Sequence, residues 1–436
     1  MCLKLWVGVI KLARRKDYMN DRQSQALDKI FERFLNGSKI FRDRDVLRHD
    51  YIPDKLPHRE SEICYVGEIV APALKGSLFS NVLIYGKTGT GKTAVMQYVL
   101  SSLTQKGKEL GSLMRVCFVN CRLQGTEYRV FSSLCNVINI KVPFTGLALG
   151  EVFDRFKEGL ESKKLLLLVV LDEIDAIVKN RGDFLLYELT RINENLNQSK
   201  VSLIGISNDL RFKEFLDPRV LSTLGEEEIV FKPYNANELQ DILMDRARLA
   251  FHDSVLSDGA IRLCAALAAA EHGDARRALD LLRVAGELTE REGAASVLEE
   301  HVRKAEKRIE HDRVTEALKN LPTHSIIVLL SIYLLSKANV RHSITGDIYS
   351  VYCELCEYSD ITPLTQRRVS GLINELDVIG LLNTRVVSLG RYGRTKKIHL
   401  SISGTFIKEA FSNDGRFGSL VEYMPRCLAT FLKKNH

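Results

Sequence analysis

The sequence predicts an α/β fold. A parallel sheet carries a phosphate-binding loop, a small helical domain follows it, and a winged helix-turn-helix ends the chain. Three observations predict this. From Asn81 to Phe231, short apolar runs alternate with helix-length amphipathic segments, the pattern of a parallel sheet covered on both faces. The loop Gly86-Lys87-Thr88-Gly89-Thr90-Gly91-Lys92-Thr93 follows one apolar run and opens a helical segment. Beyond Leu321-Pro322, three helical segments precede an alternating hairpin.

The chain has 436 residues, which suggests two or three domains at roughly 150 residues each. Leu27, Ile30, Phe31, Phe34 and Leu35 fall at helical spacing, and Tyr51-Ile52-Pro53-Asp54-Lys55-Leu56-Pro57 cannot continue a helix because its prolines remove donors. The strands are expected at Val82–Tyr85, Val116–Val119, Leu165–Leu171, Val201–Ile206 and Ile229–Phe231. Glu238–Ala250, Asp258–Glu271 and Ala275–Glu290 then read as helices, with Gly273 and Gly293 as terminators. Leu298–Leu318 is a charged connector helix with opposite charges at i,i+4. Helices at Ser325–Lys337, Asp347–Tyr358 and Thr365–Leu376 precede strands at Asn383–Leu389 and Lys396–Ile402. The expected organisation is an N-terminal basic segment (1–60), a domain carrying the phosphate-binding loop (61–232), a small helical domain (233–297), a connector (298–320) and a winged-helix domain (321–436).

Composition narrows the class. The chain is 45% hydrophobic and 27% charged, which excludes disorder and collagen-like repeats. Its longest apolar run, Leu165–Leu171, is far short of the ~20 residues a membrane span needs, so no membrane partner is expected. Nine irregularly spaced cysteines read as free thiols of a reducing compartment, consistent with a cytoplasmic protein. Leu3–Ile10 has the look of a signal-peptide core but lacks a cleavage site, and a start at Met19 explains it more simply. The net charge of +7 is uneven: residues 1–60 carry 14 Lys/Arg against 9 Asp/Glu, and residues 321–436 carry the same numbers. Basic ends around a near-neutral centre suit an enzyme core flanked by polyanion-binding surfaces, although a Met19 start would leave that argument to the C-terminal end alone.

The loop at Gly86, Gly89, Thr90, Gly91, Lys92, Thr93 and Ala94 has the residues to hold ATP or ADP. Its backbone N–H groups wrap phosphates, Lys92 bridges the β- and γ-phosphates, and Thr93 ligates Mg²⁺. The apolar run to Leu171 delivers Asp172 and Glu173 to a strand end, where parallel sheets bind ligands. There Asp172 serves the metal and Glu173 orients the attacking water. The plainer alternative is a helix N-cap, a role Asp175 would also suit. Asn208 closes the next strand, within reach of a γ-phosphate or water, or as an ordinary turn residue.

The order of loop, Asp-Glu strand, Ser207-Asn208 strand and helical lid resembles the AAA+ ATPases. The finer wording resembles one branch, the archaeal initiators related to origin recognition complex subunit 1 and cell division control protein 6. The segments that carry it include Tyr51–Glu60, Asn81–Val95, Asp217–Val220, Glu226–Phe231, Pro233–Ala236, Gly273–Leu279 and Gly390–Thr395. The resemblance implies that Arg276 is a second nucleotide sensor and that Tyr234 and Arg246 lie beside the nucleotide. Otherwise these are a surface arginine, a hinge aromatic and a solvated helix arginine. It also implies a DNA-binding helix inserted at Arg122–Ile138, where only Arg129 is basic between Gln124 and Ile138. One departure stands out: Thr223 occupies the place of an arginine that acts across subunits in related clamp loaders, with Arg219 nearby as a possible substitute.

In a winged helix the third helix enters the major groove and the hairpin reaches a neighbouring groove or backbone. Thr365, Gln366, Arg367 and Arg368 open that helix, and Arg391 and Arg394 flank the wing tip. Cys353-x-x-Cys356 lacks a second ligand pair and reads as helix core. With the resemblance to the archaeal initiators, these features imply an ATP-regulated initiator that binds double-stranded origin DNA, deforms or opens it and recruits the replicative helicase, with slow hydrolysis as a reset. Other initiator copies are further candidate partners. The rival readings are a clamp-loader-like motor and a nucleotide-gated transcription regulator.

Overall fold

A computed structural model describes residues 38–338, 343–388, 394–412 and 414–426. The features at Leu3–Ile10, Met19 and Leu27–Leu35, and the wing tip including Arg391, lie outside these residues. The chain divides into two compact units, one ending at Ala305 and the other beginning at Glu306.

In the first unit, α1 (Glu60–Val70) leads to β1 (Val82–Gly86), α2 (Lys92–Glu109), β2 (Met114–Asn120), α3 (Glu127–Val137) and α4 (Leu149–Lys163). Then come β3 (Leu166–Asp172), α5 (Ile174–Arg181), α6 (Phe184–Arg191), β4 (Lys200–Ser207), α7 (Pro218–Leu224) and β5 (Glu227–Phe231). The five strands are parallel, in the order β2-β3-β4-β1-β5. Each falls on one of the apolar runs that predicted it. Strand alternation explains why β3 is buried at every position. Leu167, Val169 and Leu171 pack on one face with Phe131, Phe156 and Leu186 from α3, α4 and α6, whereas Leu166, Leu168 and Val170 pack on the other with Val66, Met96 and Leu100 from α1 and α2. Each such side chain contributes about 1.5–3 kcal/mol of burial, so this strand is a rigid arm for whatever stands at its end.

Helices α8 (Ala236–Ala250), α9 (Asp258–Glu271) and α10 (Ala275–Glu292) follow. Asn235 and Glu238 form a reciprocal capping box on α8. Helix α10 runs to Glu292, two residues beyond the end expected at Glu290, and Gly293 terminates it in the left-handed conformation, as expected. The segment before α1 packs on these helices: Phe41 lies against Phe251 with ring centres 4.9 Å apart, and Arg42 N–H donates to the Ala250 carbonyl at 2.8 Å. The boundary between the units falls within α11 (Glu299–Lys319).

The second unit has α12 (Thr323–Lys337), β6 (Ser343–Ile344), α13 (Thr345–Tyr358), α14 (Gln366–Val378), β7 (Leu382–Ser388), β8 (Arg394–Leu400) and α15 (Gly404–Phe411). The strands form an antiparallel sheet in the order β6-β8-β7, with Ser388 paired to Arg394. Strand β6 has two residues, too few to show alternation, and was not expected from the sequence. Helix α12 is buried continuously from Ser325 to Leu335, which makes it the central helix of this unit. Thr365 stands outside α14 rather than within it: its hydroxyl accepts from Arg368 N–H, the cap that starts the helix. Cys356 is packed in the core on α13. Among the described residues, no helix is long and apolar enough to cross a membrane.

Candidate nucleotide site and nucleic-acid surface

Gly89, Thr90, Gly91, Lys92, Thr93, Ala94, Asp172, Glu173, Asn208, Tyr234, Arg246 and Arg276 line one cleft. Its volume is about 560 Å³, within the range of pockets that enclose a small ligand. Gly86 lies just outside, where β1 ends, and its carbonyl accepts from Lys92 Nζ at 2.8 Å. Tyr51, Ile52, Pro53, Leu56, Ile242, Leu249 and Leu279 add a largely apolar wall suited to a base.

Two glycines of the loop are required by close approach. At Gly89, with φ +71°, an added Cβ would lie 1.7 Å from Asp274 Oδ1. At Gly91, with φ +89°, it would lie 2.7 Å from the Tyr234 hydroxyl. The ammonium of Lys92 is buried and bonded to the Gly86 and Lys87 carbonyls, the latter at 2.7 Å. Burial pushes its pKa down to about 8, against the opposing pull of Asp172.

Thr93 Oγ1 donates to Asp172 Oδ2 at 3.0 Å, so residues 79 positions apart in sequence meet where β3 ends. Burial raises the Asp172 pKa, partly offset by this bond. A hydroxyl beside a carboxylate is an oxygen pair suited to Mg²⁺, and the glycine cradle suits a polyphosphate. Glu173 adopts the left-handed conformation at φ +52° and makes no side-chain cap bond. Its carboxylate lies 4.0 Å from the Arg122 guanidinium. The capping alternative for Asp175 does not hold: Asp175 Oδ1 accepts from Ser207 Oγ at 3.1 Å and Asn208 N–H at 3.2 Å, tying the end of β4 to α5. Asn208 thereby takes a fixed place at the cleft.

The lid meets the loop directly. Ala275 N–H donates to the Gly89 carbonyl at 3.1 Å, and Asp274 caps α10 by accepting from Arg276 N–H at 2.8 Å. Arg276 is exposed and faces the cleft, whereas its neighbour Arg277 is paired with Glu271 at 3.1 Å. Arg246 is buried, unlike a solvated helix arginine. It donates to the Val46 and Tyr51 carbonyls at 3.2 and 3.1 Å and stacks over the Tyr51 ring. Its donors thus hold the wall of the cleft. Sequence reasoning missed Arg59, a buried arginine bonded to the loop through Thr90. Two of its partners, Thr90 and Lys232, lie far away in sequence, so its burial was not readable from periodicity or spacing.

In the second unit Thr365, Gln366, Arg367 and Arg368 are exposed at the start of α14. Arg368 lies 3.5 Å from Glu375, and Lys396 on β8 donates to the Asn374 side chain. Arg394 opens β8. In the first unit Arg129 is exposed and lies over the exposed Phe144 ring at 5.2 Å. Thr223 hydrogen-bonds back to the Arg219 carbonyl at 3.2 Å, and Arg219 is exposed.

This architecture is that of an AAA-class P-loop ATPase with a winged helix appended. An AAA domain model matches residues 80–213, a Cdc6 AAA+ ATPase-type lid domain residues 240–307, and the CDC6 C-terminal winged helix domain residues 316–410. The ORC1-type DNA replication protein of Thermococcus onnurineus is 51% identical over 392 residues, covering 89% of this chain and 94% of that protein. That of Pyrococcus horikoshii is 51% identical over 400 residues, covering 91% and 96%. The structure of the Aeropyrum pernix ORC1 protein in complex with DNA superposes with a TM-score of 0.80 at 49% identity, covering 88% of this chain and 99% of that one. The chain belongs to the ORC1-type DNA replication protein family.

The Lys92 pKa gives a pH signature. If the charged ammonium is the phosphate-binding form, ADP affinity should be flat from pH 7 to about pH 8. Above it a proton would be taken up on binding, and affinity should fall by up to about tenfold per pH unit. Titrations at pH 7, 8 and 9 check this, and Lys92→Arg, charged throughout, should abolish this pH dependence.

Proposed function

We propose that this protein is an ATP-regulated DNA replication initiator that grips double-stranded origin DNA through its winged helix and the segment Arg122–Ile138, deforms or opens it, and recruits the replicative helicase. The observation that carries the reading is the 49% identity, over nearly all of its length, to an ORC1 protein solved with DNA. Its setting is the chromosome, in contact with DNA and with other initiator copies.

Each side chain has a task in this reading. Lys92 and the loop amides hold the β- and γ-phosphates, and the wall that Arg246 fixes receives the base. Thr93 and Asp172 would hold Mg²⁺, which would supply charge neutralisation at the phosphates. Glu173 orients a water for attack, Asn208 steadies it, and Arg276 reports the γ-phosphate to the lid because it lies on α10, two residues past Asp274. The turnover is slow, since Thr223 offers no guanidinium to a neighbouring subunit, and hydrolysis acts as a reset. Gln366, Arg367 and Arg368 at the start of α14 contact the major groove, Thr365 caps that helix, and Arg391 and Arg394 serve the wing.

Glu173→Gln should keep ATP binding within about twofold and reduce hydrolysis by at least about a hundredfold, as measured by phosphate release under single-turnover conditions. Equal turnover in parent and variant would remove the water-orienting role. Arg367→Ala should weaken duplex binding and lower the salt slope by about one if it contacts one phosphate. Fluorescence anisotropy at several salt concentrations reads both, and an unchanged slope and affinity would take Arg367 out of the interface.

A further inference from the structure

Arg59 is a buried guanidinium for which the nucleotide reading above has no use. It stands at the N-cap position of α1 and is 4% exposed. Its Nε donates to the Thr90 carbonyl of the phosphate loop at 3.0 Å, and Nη2 donates to the Lys232 carbonyl at 2.7 Å. Nη1 donates to the His58 carbonyl at 3.0 Å and lies 3.3 Å from Glu62. Its flat face covers the Tyr234 ring, with Cζ 3.9 Å from the ring centre.

Burying a guanidinium is costly unless its donors are used, and here they bind three carbonyls and a carboxylate. Those carbonyls belong to separate segments: the loop just before Gly91, the residue after β5, and the turn into α1. Lys232 precedes Pro233 and Tyr234, where the chain passes from the sheet to the lid helices. Tyr234 in turn packs its hydroxyl against Gly91. A lysine in this position would carry the charge but lacks the planar fork that spans two carbonyls. Arg59 does not line the cleft, so it acts through Thr90 and Tyr234.

We propose that Arg59 is a positioning residue for phosphate recognition: it clamps the phosphate loop to the lid hinge, so that the loop keeps its phosphate-binding shape only while Tyr234 is seated. The proposal rests on the reading of Gly86–Thr93 as the nucleotide site. Its consequence is selective. Loss of the clamp weakens ligands that need the loop and spares a ligand that uses only the apolar wall.

The test compares ADP and adenosine binding by the full chain, using calorimetry for ADP and ligand-observed NMR for adenosine. Arg59→Lys should raise the ADP Kd by at least about tenfold, equivalent to about 1.4 kcal/mol, and leave adenosine within about twofold. Parent-like ADP affinity, or an equal loss for both ligands, would overturn the proposal. If Arg59→Lys does not fold, Glu62→Gln should give a loss of about threefold for ADP alone, and no loss would count against the clamp. Lys92→Ala separates the two layers of the argument. If it loses ADP while Arg59→Lys does not, only the clamp fails; if both bind ADP as the parent does, the nucleotide reading fails with it.

Discussion

The first unit depends on satisfying the carbonyls of one loop without filling the space in front of it. The Gly86 and Lys87 carbonyls accept from Lys92 Nζ, and Lys87 also from Thr90 Oγ1. The Gly89 carbonyl accepts from Ala275 N–H, the Thr90 carbonyl from Arg59, and the Gly91 carbonyl from Val95 N–H. A loop carbonyl left without a partner would cost on the order of 1–3 kcal/mol. The donors come from the loop itself, the following helix, the lid and the segment before the sheet. The shape of the loop is therefore a property of the whole unit and not of its glycines alone.

That constraint places the other groups. The lid starts against Gly89 because Asp274 occupies the space a side chain would take there. Arg276, two residues on, is consequently held at the mouth of the cleft while Arg277 is turned to Glu271. Asp172 reaches Thr93 because β3, buried along its whole length, has no freedom to place its end elsewhere. Two buried arginines act at different places: Arg246 holds Tyr51 of the base wall to α8, and Arg59 ties the loop at Thr90 to Lys232 after β5.

Much of this was legible in the sequence, and the rest was hidden for definite reasons. The five strands were readable because buried parallel strands are continuous apolar runs, and the loop because its spacing is chemically restrictive. Thr93 and Asp172 were each legible as metal-site candidates, and their hydrogen bond was seen only in the structure. The clamp made by Arg59 was invisible because two of its partners, Thr90 and Lys232, lie 31 and 173 residues away, and neither periodicity nor spacing marks such a contact. Arg246 was selected through family resemblance, yet its bonds to Val46 and Tyr51 were not readable, being 200 and 195 residues distant. Asp175 looked like a cap because acidic residues near helix starts usually are, but the end of β4 offered two donors that claimed it. In the second unit the helices were clear from their apolar faces, whereas β6 was too short to announce itself.

The central claim is that this ATPase is addressed to origins and not to genes at large. The direct measurement is a chromosome-wide map of its occupancy in the cell of origin. One or a few sharp peaks coinciding with sites of replication start are predicted. Occupancy spread over many promoters, with no enrichment at replication starts, would contradict the account.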